Sequence, residues 1–127
     1  MSAAQVLVVE DNEKNMKLFR DVLRASGYQP LEAATAERAM ELAAEYEPKL
    51  VLMDIQLPDI DGVEALGRLR ANERTASIPV VALTAQAMQG DRERFLDAGF
   101  DGYISKPVNV AEFVKTVKEH CERADDE

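Results

Sequence analysis

Three acidic side chains, a threonine and a lysine stand where short apolar runs of this sequence end. Val8-Val9 leads into Glu10-Asp11, Val51-Leu52-Met53 into Asp54, Val81-Ala82-Leu83 into Thr84, and Gly102-Tyr103-Ile104 is followed by Lys106. Three carboxylates brought to one place repel one another unless a cation neutralises them. A hard divalent ion with oxygen ligands does this, and Mg²⁺ suits one or two carboxylates together with water and a phosphoryl group. An aspartate in that setting can act as a nucleophile and form an acyl phosphate. Metal and ammonium would offset charge on the phosphoryl oxygens, so that positioning and electrostatics supply most of the catalysis. Thr84 could donate a hydrogen bond to the new phosphoryl oxygen. Water is the built-in competitor, since the metal that assists transfer also assists hydrolysis. No P-loop, Ser-His-Asp set or dinucleotide fingerprint offers a different chemistry.

Taken singly, each residue has a plainer role. Glu10 and Asp11 could cap the first helix and oppose its dipole. Asp54 could be a loop acid, Thr84 a cap of the fourth helix, and Lys106 a solvated surface lysine. Their convergence is what carries the argument, and that depends on the elements between them. Strand-like runs are expected at Gln5–Val9, Gln29–Ala33, Leu50–Met53, Val80–Leu83 and Gly102–Ile104. Helical spacing fills the gaps. Ala36, Ala39, Met40 and Ala43 form one stripe, and Val110, Phe113, Val114 and Val117 another. Phe19, Val22 and Leu23 face the core from the first helix, Val63 and Leu66 from the third. Gly27 and Gly99 sit where left-handed helix ends are wanted. Asp61 with Glu64, and Asn109 with Glu112, have capping-box spacing. Gly67 weakens the third helix by about 1 kcal/mol relative to Ala.

Five strands alternating with five helices make a parallel sheet covered on both faces. The first, third and fourth runs, apolar throughout, should be its centre. In such sheets ligands bind outside the carboxyl ends of the strands, which is where the five polar residues fall.

Composition bounds what else the chain can be. Its 127 residues fit one domain, and 46% apolar residues suffice for a core. With 24 acidic and 15 basic side chains the net charge is −9, which disfavours nucleic acid because phosphate neutralisation needs clustered Lys and Arg. A bound Mg²⁺ would bring that charge to −7. No apolar run approaches the ~20 residues of a membrane span, and no signal-peptide pattern is present, so a cytoplasmic location is expected. Cys121 is the only cysteine and excludes an internal disulfide; its helical spacing from Val114 and Val117 suits packing. The single histidine, His120, is expected at the surface. Phe95 and Leu96 are candidates for the core of the fourth helix, and Met88 for an adaptable contact face.

Four blocks in order resemble the receiver domain of two-component response regulators. They are Val8-Val9-Glu10-Asp11-Asn12, Leu52 through Gly62, Pro79 through Ala85, and Ala98 through Pro107. The stretches Asn12–Phe19 and Ala85–Asp91 resemble DivK-type single-domain regulators and the receivers of hybrid histidine kinases. The resemblance implies a flavodoxin-like (βα)5 fold with strand order 2-1-3-4-5, filling residues 1–124 ahead of a short acidic tail at 125–127. It implies Asp54 as phosphoacceptor, with a phosphohistidine of a histidine kinase or phosphotransfer protein as donor. Asp11 directly, Glu10 through water, Asp54 and the backbone carbonyl of Gln56 would hold Mg²⁺, or Mn²⁺ in its place. Lys106 would contact the phosphoryl group, Thr84 and Tyr103 would switch, and the Lys106–Pro107 peptide would be cis. Gln56 and Gln86 would set uncharged amides near the phosphoryl group. Asn15, Leu18, Met88, Tyr103 and Val108 would belong to faces that meet partner proteins, and the molecule would be a monomer or weak dimer. A stand-alone regulator is the simpler expectation, an excised domain the alternative. Two rivals share this fold. A phosphatase of the aspartyl-phosphate type would use a D-x-D pair such as Asp59-Ile60-Asp61, although this one lies in a loop. A pseudo-receiver would bind partners without chemistry.

Overall fold

The computed structural model describes residues 4–84, 91–106 and 108–125, without the side chains of residues 91, 92 and 123–125. Strands and helices alternate in the order β1 (Gln5–Val9), α1 (Glu13–Ala25), β2 (Gln29–Ala33), α2 (Ala36–Tyr46), β3 (Leu50–Asp54), α3 (Gly62–Ala71), β4 (Val80–Thr84), α4 (Asp91–Ala98), β5 (Gly102–Ser105) and α5 (Val110–Asp125). The strands form one sheet in the order β2-β1-β3-β4-β5, with every pairing parallel. Asp54, Thr84 and Ser105 extend three strands one residue beyond the apolar runs. The polar ends therefore belong to the sheet itself. α5 reaches Asp125, one residue into the segment expected as tail.

Period-two alternation sends the central strands into two cores. Leu7, Val9, Val51, Met53, Val80 and Ala82 pack under α2, α3 and α4, with Phe95 and Phe100 meeting edge to face. Val6, Val8, Leu50, Leu52, Val81 and Leu83 pack under α1 and α5, where Phe19 stacks on Phe113 at 5.3 Å. β2 is an edge strand, and there Pro30 costs little because one side of the strand has no neighbour to bond.

Helix ends follow the expected chemistry. Gly27 and Gly99 have φ of +90° and +112°. Asp61 accepts from the Glu64 N–H at 2.9 Å, and Asn109 from the Glu112 N–H at 3.1 Å. Three apolar expectations and one polar one fail in phase. Val63, Leu96 and Val110 are exposed, and His120 is buried with 7% of its surface accessible. The buried face of α3 runs Gly62, Ala65, Leu66, Leu69, a helical stripe that begins on a glycine. In α5 the buried face runs Phe113, Val117, His120 and Cys121. His120 stands seven residues from Phe113 and so falls on the same side. It lies over Gly102, where a Cβ would come within 3.0 Å of Nε2. Cys121 is buried, as its spacing indicates.

Candidate functional site

Parallel order and common register bring the carboxyl ends of β1, β3 and β4 to one rim of the sheet. Val9 pairs with Met53, and Asp54 with Leu83. Glu10 therefore follows β1 beside Asp54, and Thr84 lies one step past Asp54's partner. Lys106 is fixed just after β5 by its N–H, which donates to the Thr84 carbonyl at 2.7 Å.

The acidic pair is free for the cleft because another residue caps α1. Asn12 is the N-cap, its Oδ1 accepting from the Asn15 N–H at 3.0 Å. Capping is thus not the use of Glu10 and Asp11.

Lys106 Nζ donates to Glu10 Oε1 at 2.8 Å and to Asp54 Oδ2 at 2.9 Å. Asp54 Oδ1 accepts from the Gln56 N–H at 2.9 Å. Asn15 Nδ2 also donates to Glu10 Oε1, at 2.7 Å. Glu10 is only 2% exposed, and no donor among the described residues reaches its buried Oε2. Burial, together with the neighbouring Asp54 carboxyl, pushes Glu10 up to about 7 against the opposite pull of Lys106 and Asn15. Burial works against ionisation of Asp54 as well. There the hydrogen bonds from Glu10, the Gln56 N–H and Lys106 prevail and hold it below the ordinary carboxylate range. Burial disfavours the Lys106 ammonium, but its two carboxylate partners raise it above an ordinary lysine.

One carboxylate oxygen from each of Glu10, Asp11 and Asp54 lies within 4.8 Å of the others. Three carboxylates thus meet a single ammonium, Asp11 exposed and the other two buried. An all-oxygen donor set, excess negative charge and an orphaned buried oxygen are what a hard divalent cation relieves. The residues present fit Mg²⁺.

The loop after Asp54 is tied down at both ends. Asp59 accepts from the Ala36 and Glu37 N–H groups, each at 3.0 Å, and so caps α2 from outside. Asp61 caps α3. Both acids of the D-x-D pair accept backbone N–H groups at helix ends. Gly62 presses on the strand end, where a Cβ would stand 2.9 Å from Ile55 Cα and 3.1 Å from the Asp54 carbonyl.

The other expected residues scatter. Thr84 is buried at the end of β4, and Tyr103 is half-buried against the α2–α4 core. Val108 packs partly against the α1/α5 core, and Leu18 is exposed on α1. Met88, Gln86, Pro107 and the Lys106–Pro107 peptide lie outside the described residues. Sequence reasoning assigned Asn15 to a partner face and missed its bond to Glu10. The signal was its place three residues past the cap, in the turn that faces the end of β1.

A family model for the response regulator receiver domain matches residues 6–118. The chain belongs to the receiver domain family. It is 49% identical over 115 residues to the polar-differentiation response regulator DivK of Brucella ovis, spanning 91% of this chain and 94% of that protein. The receiver domain of the sensor histidine kinase PA1611 from Pseudomonas aeruginosa superimposes with a TM-score of 0.87 at 36% identity. The match covers 95% of this chain and 99% of that one, and that structure holds a magnesium ion in its active site cleft. A CheY-like receiver protein from Methanospirillum hungatei aligns at 0.86 and 29% identity, over 98% of each chain. This receiver is therefore DivK-like, from a family of phosphoacceptors in two-component signalling that meet histidine kinases and downstream targets. No helix among its described residues is long and apolar enough to cross a membrane.

Proposed function

We propose that this receiver takes a phosphoryl group onto Asp54 from a phosphohistidine of a histidine kinase or phosphotransfer protein. An Asp54 oxygen attacks phosphorus, the phosphorus–nitrogen bond breaks, and the imidazole leaves with its electron pair and gains a proton. The product is an acyl phosphate. The observation that carries this reading is the Lys106 ammonium bridging Asp54 and Glu10 beside a buried oxygen that has no donor. Asp54 is thereby kept ionised, a nucleophile already desolvated and held at both oxygens.

Glu10, Asp11, Asp54 and the Gln56 carbonyl would hold Mg²⁺, with Mn²⁺ able to replace it. A bound ion supplies charge neutralisation for the incoming phosphoryl oxygens. Lys106 shifts from carboxylate to phosphoryl oxygen as charge builds there. Thr84 donates to the new group, and Tyr103 follows it inward. The added charge biases a two-state surface that includes Tyr103 and α5, and partner proteins read that surface. Leu18, Met88 and Val108 complete the partner faces. We read the molecule as a cytoplasmic switch, monomeric or weakly dimeric, with no DNA partner and no sustained turnover.

Labelling with acetyl phosphate or a phosphorylated kinase in the presence of Mg²⁺ tests this. Wild type should take up one equivalent per chain, and Asp54→Asn none. Label on Asp54→Asn, or continuous turnover of small phosphoesters, would overturn the reading.

A further inference from the structure

We propose that Asn15 is a positioning residue for the metal site, fixing the rotation of the Glu10 carboxylate so that Oε2 faces the cleft. The inference rests on the metal reading above and deepens it.

A glutamate carboxylate has two equivalent oxygens and a broad terminal torsion, so a single contact to Lys106 would not fix the plane of the group. Asn15 decides it. Its amide donates to Oε1 at 2.7 Å while Lys106 donates to the same oxygen at 2.8 Å. Two donors occupy the lone pairs of Oε1 and leave Oε2 as the oxygen without a protein donor. Asn15 is itself held, because its backbone N–H is the group that the Asn12 cap binds. The chain of constraint runs from helix cap to amide to carboxylate to cleft. Leucine at this position would fill the same volume and supply no donor. Groups of this kind behind a metal ligand orient it, and losing one weakens metal affinity by about 10–100-fold.

Mg²⁺ titration of the full chain by calorimetry tests the idea, alongside the Mg²⁺-induced rise in melting temperature. The proteins compared are wild type, Asn15→Leu, Asn15→Ala and Asn15→Gln. The two variants without a donor should lose about tenfold in Mg²⁺ affinity and show a smaller metal-induced rise, even where their metal-free melting is unchanged. Asn15→Gln, which keeps the amide, should retain most of the affinity. The alanine variant carries the test if leucine prevents folding. Wild-type Mg²⁺ affinity in both donor-less variants overturns the proposal. So does loss of transfer from a phosphohistidine protein alone, with Mg²⁺ binding and acetyl phosphate labelling intact, which would make Asn15 a docking residue. A wild type that binds no Mg²⁺ removes the metal reading itself, a separate and visible failure.

Discussion

Gly62 lacks a side chain for a steric reason, and the reason lies in the chemistry next door. A Cβ there would meet the main chain of Ile55 and the Asp54 carbonyl, and backbone cannot rotate away as a side chain can. Gly62→Ala should therefore push on the end of β3. A cost of about 1–3 kcal/mol is expected, the range for overpacking a tight contact, measured as a lower urea midpoint at unchanged slope. Acetyl phosphate labelling of Asp54 should slow in the same protein, since its strand end would be displaced. Wild-type stability and labelling together would show that the loop absorbs a methyl group without moving Asp54. The two buried partners of Lys106 illustrate a related economy. A single ammonium serves two carboxylates, and that leaves the deficit of positive charge that a divalent ion would fill.

At the scale of elements, the loop after β3 is organised by its acids. Asp59 satisfies two N–H groups at the start of α2 that would otherwise face solvent. Those bonds hold the Asp59 carboxyl below the usual range, the Ala36 N–H contributing most. Its stabilising contribution is therefore present above the ordinary aspartate value and disappears as pH falls through the depressed one. Asp59→Asn keeps one acceptor oxygen for two donors. It should cost about 0.5–1 kcal/mol at neutral pH, the scale of a lost cap, and the gap to wild type should close in strong acid. Chemical denaturation of both proteins across pH checks this, and a gap that is constant with pH would refute it. The same loop marks the limit of reading from sequence. Strand alternation, glycine stops and Asx caps were legible because each depends on neighbours a few residues away. Asp59's partners are more than twenty residues distant, so nothing local announces them. Apolar spacing points to Val63 for the buried face of α3 because it passes over Gly62. Polarity alone puts His120 on the surface, although Phe113, seven residues earlier, marks that side of α5 as buried. The cleft was legible for a different reason. Strand ends in a parallel sheet share one rim, so residue type at five known places sufficed, while the Asn15 amide needed the angle of a helix against that rim.

For the molecule as a whole, one sheet shared by two cores implies one cooperative unit. Leu52 and Met53 are neighbours in β3 that point into opposite cores, and both are fully buried. Leu52→Ala and Met53→Ala should each cost about 2–5 kcal/mol. Each should shift a single transition that circular dichroism and tyrosine fluorescence report together. Two separated steps in either variant would mean the cores melt independently. The long reach of the cleft has a consequence in time. Lys106 lies 96 residues beyond Glu10 and 52 beyond Asp54. A ribosome delivers the chain from its N-terminus, so all three acids emerge well before their counter-ion. A nascent chain that has not yet added β5 holds Glu10, Asp11 and Asp54 without the ammonium that pairs with two of them. The ion-paired cleft can close only after β5 and Lys106 have been made.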